Sequence, residues 1–390
     1  MRCHSLAIWD ERYLAYDFGD HPLNPVRLDL TIRLARELGV LDRLDVRPPE
    51  PADEQQLLTI HDADYLAAVR SASSDQTFEG YGLGTSDDPV FPGMYDASAL
   101  VAGGSAQAAL AMWRGEAEHA VNIAGGLHHA MRRYASGFCI FNDVALAIRT
   151  LLAEGVQRIA YVDIDVHHGD GVQAAFYDDP RVLTISLHQD PRTLFPGTGL
   201  PSDVGAGDAE GTAVNVALPP GTDDVGWLRA FRAIVPGAVR VFKPDVLVTQ
   251  CGCDTHHEDP LANLELTVDG QRTAIAALHR LAHEVAGGKW VAFGGGGYGL
   301  VRCVPRTWTH LLAEATGTPV DPETAIPPGW VAHLRSRGVR GELPATMGER
   351  PVPEVAPWIP GGEDWLDGAI GATRNAVFPL LGLDPDDPRD

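Results

Sequence analysis

The residues most able to carry chemistry lie in one short segment, since four of the six residues from 165 to 170 are aspartate or histidine. Residues two apart at the end of a strand point the same way, so Asp165 and His167 can face one metal ion. Asp254, after a later strand candidate, is a third possible ligand. Two carboxylates and one imidazole with an open fourth position suit a catalytic Zn²⁺, with Fe²⁺ as the alternative. The competing interpretation is a solvated acidic turn, with Asp254 an ordinary surface residue.

A second candidate group is the histidine pair His128 and His129, which follows two glycines after another strand candidate. A carboxylate that holds a histidine fixes its tautomer and stabilises the imidazolium, which tunes the histidine as a general base. Asp163 and Asp170 are the carboxylates available for this role, one for each histidine. Without the candidate metal-binding segment beside them (residues 165–170, the metal segment), the two histidines would be interpreted equally well as core or capping residues.

Tyr298 follows four glycines, Gly294–Gly297, after an apolar strand candidate. The glycine run lacks the Lys-Ser/Thr pair of a P-loop and the spacing of a dinucleotide site. It would instead let the backbone approach the metal segment, where the phenol can donate a hydrogen bond to a developing oxyanion. The alternative is a tight turn with a packing tyrosine. Two rings, Phe138 and Phe195, would form a slot for an extended aliphatic chain if they face each other, and otherwise belong to the core.

These residues follow short apolar segments that alternate with helical patterns. Such alternation is typical of an α/β fold, a single domain with a mostly parallel central sheet flanked by helices on both faces. Ligands of these sheets bind beyond the carboxyl ends of the strands. The predicted strands are His119–Ile123, Arg158–Asp163, Val182–Leu187, Ala213–Leu218, Asp245–Gln250 and Trp290–Phe293. The predicted helices are Asp96–Trp113, Asp143–Glu154, Val225–Phe242, Val268–Ala286 and Pro305–Ala315.

Charge and composition limit what the 390-residue chain can be. Its 30 basic and 53 acidic residues give a formal net charge of −23. This charge disfavours nucleic acid and membrane surfaces and favours cationic partners such as lysine-rich segments. Five cysteines, no run of 18 apolar residues and no leader-like start predict a cytoplasmic protein without a disulfide framework. We expect one catalytic domain over residues 1–318 and a proline-rich extension over residues 319–390, packed on the same domain.

Together, the motifs resemble those of the zinc-dependent histone deacetylase superfamily, which has the arginase–deacetylase fold. The match runs from about His21 to Arg306, and eight motifs occur in one order. Within the superfamily, the chain is similar to the bacterial acetoin-utilisation deacetylases. The resemblance implies removal of acetyl groups from N6-acetyl-lysine of proteins, with an acyl-CoA synthetase as a candidate substrate. The motifs are His21–Arg27, Gly125–His129, Ser136–Asp143, Asp163–Gly171, Phe195–Gly199, Gln250–Asp254, Asp259–Leu261 and Gly294–Tyr298.

The resemblance assigns roles by position. It makes zinc ligands of Asp165, His167 and Asp254. The catalytic residues would be His128, His129, Tyr298, Asp163 and Asp170. The substrate-binding residues would be the rim aspartate Asp87, the tunnel residues Gly137, Phe138, Phe195 and Leu261, and Arg27 at an acetate-release channel.

The superfamily also carries sites for K⁺ or Na⁺. By resemblance, the nearer site would use Asp163, Asp165, His167, Ser186 and Leu187. The farther site would use mainly backbone oxygens of Phe176, Asp179 and Val182. One departure lies in the base region, where Leu127 stands in place of the tryptophan of many members. No role is predicted for Cys251 or Cys253.

Three alternatives remain open from the sequence. The first is an acetylpolyamine amidohydrolase with the same fold, since an acidic surface would also attract polyamines. The second is an arginase-type reaction with two bridged manganese ions, for which Asp163 and His128 would have to become ligands of a second metal. The third is a binding module that keeps the fold without catalysis.

Overall fold

The strands of the protein form one sheet. In the computed structural model, which describes residues 3–362 and 364–389, the strands are β1 (Ser5–Ile8), β2 (Asp45–Arg47), β3 (His119–Asn122), β4 (Ile159–Asp163), β5 (Val182–Gln189), β6 (Ala213–Leu218), β7 (Val246–Gln250) and β8 (Trp290–Phe293). Their order across the sheet is β2-β1-β3-β8-β7-β4-β5-β6. Every neighbouring pair is parallel, so the sheet is wholly rather than mostly parallel.

Eleven α-helices connect or flank the strands within the described residues. They are α1 (Val26–Glu37), α2 (Glu54–Leu57), α3 (Ala63–Ala72), α4 (Met94–Trp113), α5 (Asp143–Ala153), α6 (Asp170–Phe176), α7 (Asp224–Phe242), α8 (Val268–Ala286), α9 (Val304–Ala315), α10 (Pro328–Ser336) and α11 (Trp365–Leu381). The predicted α/β fold with a central parallel sheet is confirmed. None of these helices combines the length and the apolarity that a membrane crossing requires.

The middle of the sheet is its most apolar part. Every residue of β4, β5 and β7 is buried, as expected for parallel strands covered on both faces. The strands β3, β8, β7, β4 and β5 are consecutive neighbours. Because parallel strands end at the same edge, the polar residues that follow these five strands meet in one place.

The segment after residue 318 packs against the same sheet. Helix α11 lies on α7 and on the edge strand β6. The Thr373 hydroxyl donates to the Asn215 carbonyl of β6 at 2.7 Å, and the buried Arg374 guanidinium lies 4.8 Å from the Trp358 ring. This covering protects an edge strand from pairing with another chain. A domain boundary at residue 318 stays a prediction, and residues 1, 2, 363 and 390 of the two predicted ranges lie outside the described residues.

Candidate active site

The three predicted metal ligands come together at the carboxyl ends of the neighbouring strands β4 and β7. His167 Nδ1 lies 3.1 Å from Asp165 Oδ1 and 3.2 Å from Asp254 Oδ2. One ligand-type atom of each residue lies within 4.8 Å of those of the other two. All three side chains are buried. Two buried carboxylates and an imidazole nitrogen are a donor set that fits Zn²⁺ or Fe²⁺.

Neighbouring groups hold both carboxylates in place. Gln250 Nε2 and the Gly296 N–H donate to Asp165 Oδ2 at 2.7 and 2.8 Å. The Val166 N–H donates to Asp254 Oδ1 at 2.9 Å. Burial, followed by the charge of Asp165, raises the pKa of Asp254 to about 7. A bound cation would relieve this repulsion. A Cβ at Gly296 would lie 1.9 Å from Asp254 Oδ2, so only glycine fits there.

Each histidine of the pair has its own carboxylate. His128 Nδ1 lies 2.7 Å from Asp163 Oδ2, and His129 Nδ1 lies 2.7 Å from Asp170 Oδ1. The two Nε2 atoms are 3.0 Å apart. Burial alone would lower the pKa of His128, but the carboxylates of Asp163 and Asp165 outweigh it and raise that pKa to about 9. Burial and the charge of His128 lower the pKa of His129 to about 4. His128 therefore carries the proton of the pair, and His129 is neutral.

Residues at the start of α5 fix the loop that carries the pair. Asn142 caps this helix by accepting the Ala145 N–H at 2.9 Å, and its amide donates to the His128 carbonyl at 3.2 Å. The Asp143 carboxylate accepts the N–H groups of Gly126 and Leu127. Sequence reasoning assigned no role to Asn142, Asp143 or Gln250. The available signal was their position inside the Ser136–Asp143 and Gln250–Asp254 motifs.

Tyr298 stands on a glycine loop that is held from both sides. Its N–H donates to Asp259 Oδ2 at 2.8 Å. The buried Arg27 donates from Nη1 to the carbonyls of Gly295 and Gly297 at 2.9 and 3.1 Å. The loop is thus braced rather than free, and Tyr298 lines the same cavity as both histidines of the pair.

A narrow cavity of about 250 Å³ leads to these groups. The Phe138 ring lies 5.7 Å from the Tyr298 ring, and the Phe195 ring lies 5.0 Å from the His129 ring. Phe195 is 44% exposed, and neither it nor Phe138 is among the residues that line the cavity, so their predicted tunnel role stays a prediction. His21, which begins the first motif but was given no role, packs edge-on against Phe138 at 4.5 Å. The residues lining the cavity include Leu23, Gly126, Leu127, His128, His129, Gly137, Cys139, Asp165, His167, Gly295, Gly296 and Tyr298.

Gly137 and Asp87 also lie at this cavity, whereas Leu261 does not line it. The Gly137 N–H donates to Asp87 Oδ2 at 2.8 Å. Gly137 has φ +56°, and a Cβ there would lie 2.3 Å from His129 Cδ2, so a side chain would displace the His129 ring. The Leu261 N–H is bound by Asp259, whose second oxygen holds the Tyr298 backbone. The roles predicted for these residues remain predictions.

A second cavity of about 290 Å³ lies behind the first. Arg27 lines it, together with Tyr13 and Tyr16. Leu23 and Leu127 line both cavities and therefore form the partition between them. The replacement of tryptophan by Leu127 falls on this partition.

The residues predicted for the monovalent-cation sites lie in the neighbouring strands β4 and β5 and in the segment that connects them. Asp163 and Ser186 are register partners in β4 and β5, and the Ser186 hydroxyl lies 2.9 Å from His188 Nδ1. At the farther site, the Asp179 carboxylate is bound by Arg181 at 2.7 Å. An ion there would depend on backbone oxygens. Both cation sites stay predictions.

The two cysteines without a predicted role pack behind the glycine loop. Cys253 Sγ lies 3.7 Å from the Gly296 carbonyl. The Cys251 carbonyl accepts the Trp308 indole N–H at 3.0 Å, and burial raises the pKa of its thiol to about 12. Both thiols therefore behave as packing groups.

Comparisons with known proteins agree on one family. The sequence model described as "Histone deacetylase domain" matches residues 21–315. Acetoin utilization protein AcuC of Bacillus subtilis (strain 168) is 42% identical over 332 residues, which are 84% of this chain and 85% of that protein. The proteins of the same name from Staphylococcus aureus (strain MSSA476) and Staphylococcus xylosus are each 36% identical over 329 residues, or 83% of this chain and 84% and 85% of theirs.

Proposed function

Because the chain belongs to the histone deacetylase family, and within it to the acetoin-utilisation type, we propose that it hydrolyses N6-acetyl-lysine of proteins to lysine and acetate. One observation carries this proposal. A narrow cavity is lined at once by two of the three ligand candidates, by a carboxylate-bound histidine pair and by a tyrosine. These are the groups that amide hydrolysis by water requires.

Asp165, His167 and Asp254 would hold the ion, for which we propose Zn²⁺, with Fe²⁺ as the alternative. When bound, such an ion supplies Lewis-acid chemistry, because it lowers the pKa of water and polarises a carbonyl. The chain's contribution is to hold the three ligands rigidly. Gln250 and two backbone N–H groups fix the outer carboxylate oxygens, so the inner oxygens face His167.

His129 is the general base in this proposal. It is neutral, its Nδ1 is held by Asp170, and its Nε2 lies on the cavity side next to His128. It takes a proton from water as the water oxygen bonds to the acetyl carbon. When the C–N bond breaks, the proton is returned to the departing lysine amine. His128 keeps its own proton and stabilises the negative charge that develops beside it.

The Tyr298 hydroxyl donates a hydrogen bond to the acetyl oxygen as negative charge develops on that oxygen. Burial and the nearby carboxylates of Asp254 and Asp165 raise the pKa of its phenol well above the usual value. The phenol therefore stays protonated and remains a donor throughout the neutral pH range. The bracing of its loop by Arg27 and Asp259 sets the hydroxyl before the substrate arrives.

The walls of the cavity suit the stem of an acylated lysine. We propose that Phe138 and Phe195, which pack edge-on against Tyr298 and His129, flank the four methylene groups. Asp87, which accepts the Gly137 N–H, would also accept a backbone N–H of the substrate. The acidic charge of the chain favours proteins whose acetyl-lysine is surrounded by other basic residues. We propose an acetylated acyl-CoA synthetase as one such substrate.

The second cavity provides a separate exit for acetate. Acetate forms at the inner end of the first cavity, where the departing lysine blocks the mouth. Leu23 and Leu127 separate this point from the cavity that holds the Arg27 guanidinium. A cation on that side attracts the acetate anion through the partition.

The test compares kcat/KM for acetyl-lysine peptides, an acetylated acyl-CoA synthetase and acetylputrescine with the same zinc-loaded enzyme. We expect the two acetyl-lysine substrates to be preferred. A preference for acetylputrescine would show that the acidic surface serves polyamines, which is the rival function. Absence of hydrolysis of all three by saturated enzyme would leave a binding module.

A further inference from the structure

A second group of potential metal ligands lies at the amino ends of the strands, opposite the carboxyl ends that carry the catalytic cavity. It consists of Cys3, His119, His279 and His283, and one ligand-type atom of each lies within 4.8 Å of those of the others. Cys3 precedes β1, and His119 is the first residue of β3, the strand beside β1. These positions are the amino ends of strands whose carboxyl ends face the catalytic cavity. The group is therefore separate from the site described above.

His119 leaves one ring nitrogen unused. Its Nδ1 lies 2.6 Å from the Ala315 carbonyl, which can only accept a hydrogen bond. Nδ1 therefore carries the ring proton, and Nε2 is a bare lone pair. This side chain is 0% exposed, and Nε2 has no hydrogen-bond partner among residues 3–362 and 364–389. A buried acceptor without a partner is unfavourable, so a ligand bound at this nitrogen would stabilise the fold.

The two histidines of α8 present a prepared pair. His279 and His283 are four residues apart, so their rings share one helix face. His279 Nδ1 lies 2.8 Å from Glu314 Oε1 of α9, so its Nε2 is the ring nitrogen that faces away from this carboxylate and is available to a metal. Metal-binding histidines are commonly held in this way, by a carboxylate on the nitrogen away from the metal.

The distances among Cys3, His279 and His283 fit one tetrahedral ion, and a ligand-type atom of His119 lies within 4.8 Å of theirs. His279 Nε2 lies 3.1 Å from His283 Nε2, which lies 3.9 Å from Cys3 Sγ. Neighbouring ligands in a zinc site are about 3.4 Å apart, given bonds of about 2.0–2.1 Å to nitrogen and about 2.3 Å to sulfur. A single hydrogen from His283 satisfies His279 Nε2 but leaves His119 Nε2 bare. One cation satisfies all of these lone pairs together.

We propose that Cys3, His119, His279 and His283 bind one zinc-class divalent ion. Three imidazoles and one thiolate complete a tetrahedral shell, so the site is structural and has no position for a substrate. On binding, the Cys3 thiol releases its proton to solvent, and sulfur bonds to the metal. The ion ties the chain before β1 to β3 and to the last turns of α8.

The competing explanation is a cluster of packed rings. The His119 ring meets the His279 and His283 rings edge-on at 4.7 and 5.1 Å, and Trp290 stacks on His279. Packing alone accounts for these ring contacts. It does not account for a thiol beside three imidazoles or for the bare Nε2 of His119.

Metal content separates the two explanations. We expect two zinc ions per chain in the zinc-saturated full-length protein after removal of free metal, measured by plasma mass spectrometry. The Cys3→Ser and His283→Gln variants should hold one ion and keep full deacetylase activity. The matched control is His4→Ala, which removes an exposed histidine next to Cys3 and should keep two. One ion in the wild-type protein, or two in Cys3→Ser, overturns the proposal.

Cobalt substitution gives a test whose decisive result is measured in the wild-type protein. A thiolate bound to Co²⁺ produces a charge-transfer band in the near ultraviolet, whereas the catalytic ligands are oxygen and nitrogen only. We expect the band in the wild-type protein and in Asp254→Asn, whose catalytic ligand set is broken. Its absence from the wild-type protein overturns the proposal. Its presence in Asp254→Asn also distinguishes this site from an arginase-type pair of bridged ions at the catalytic centre.

Discussion

His128 and His129 show how two identical side chains acquire different roles. Both are buried, and each contacts one carboxylate at 2.7 Å. The charge of Asp165 also raises the pKa of His128, whereas the charge of His128 lowers the pKa of His129 more than that of Asp170 raises it. Since two imidazolium ions 3.0 Å apart would repel strongly, one proton stays on His128 and none on His129.

The first prediction concerns the base. In His129→Ala we expect kcat to fall by about 10²–10⁴-fold, the usual contribution of general acid–base catalysis. Metal content should not change, because His129 is not a ligand. Steady-state kinetics and metal analysis check both points, with His333→Ala as a control away from the cavity. Near-normal turnover of His129→Ala would remove it from the mechanism.

The second prediction concerns the phenol. Tyr298→Phe removes one donor and keeps the ring that packs against Phe138. Loss of such an oxyanion donor typically lowers kcat by about 10²–10³-fold, so we expect this loss with KM and metal content nearly unchanged. Tyr95→Phe, which removes a hydroxyl bonded to Arg70, is the matched control. If both variants turn over alike, Tyr298 only packs.

At the scale of elements, the sequence predicts the strands and helices that surround the site to within about two residues at each end. Strands β5 and β7 read as continuous apolar runs because both faces are buried. The strand β1, of four residues, and the helix α6, which begins at Asp170 inside the metal segment, were not predicted. Short elements like these give too few residues for a periodic pattern.

In the site, too, residues with a local sequence signal are predicted and residues that act through distant contacts are not. Asp165 and His167 are found from sequence because a two-residue spacing at a strand end is a local signal. Gln250 and Asn142 act on residues that are 85 and 14 positions away in the chain, and no local pattern shows such contacts. Helix α11 follows two proline-rich segments, and the sequence analysis predicted no helix in the extension.

The third prediction concerns the junction of α3 and α5. His61 precedes α3, its Nδ1 lies 3.0 Å from the Met131 carbonyl, and its Nε2 accepts the Asn142 N–H. Burial lowers the pKa of His61 from 6.5 to about 4. The unfolded chain therefore takes up this proton first, and stability that is present above pH 6.5 is lost as the pH falls towards 4.

Urea unfolding at two pH values measures this effect. Between about pH 7.5 and about pH 5, we expect His61 to account for about 2 kcal/mol of the fall in the free energy of unfolding. His61→Gln should be less stable at the higher pH but should lose less on acidification. An equal pH dependence in both proteins would mean that the imidazole is not held neutral.

At the scale of the whole molecule, the dominant property is a net charge of −23. A field of this sign attracts cationic substrates over distances that salt shortens, since the Debye length falls from about 10 Å at 0.1 M to about 3 Å at 1 M. For the proposed acetyl-lysine substrates, this field would act on the charged residues that flank the modified lysine.

The fourth prediction follows from this charge. We expect KM for an acetyl-lysine peptide flanked by lysines to rise with salt, while KM for a peptide flanked by glycine and serine changes little. The measurement is a salt titration of initial rates with both peptides and one enzyme preparation. Parallel responses of the two peptides would place the recognition in the cavity alone.

The assembly of the site from separate strand ends also bears on how the protein folds. His167 and Asp254 are 87 residues apart, Gly296 binds Asp165 across 131 residues, and Gly297 binds Arg27 across 270. Closing loops of this length is slow, and parallel sheets are built from such closures. After dilution from denaturant, helical circular dichroism should return well before hydrolysis does. Catalytic competence is then one of the last properties the chain acquires, and a nascent or partly folded chain lacks an assembled site.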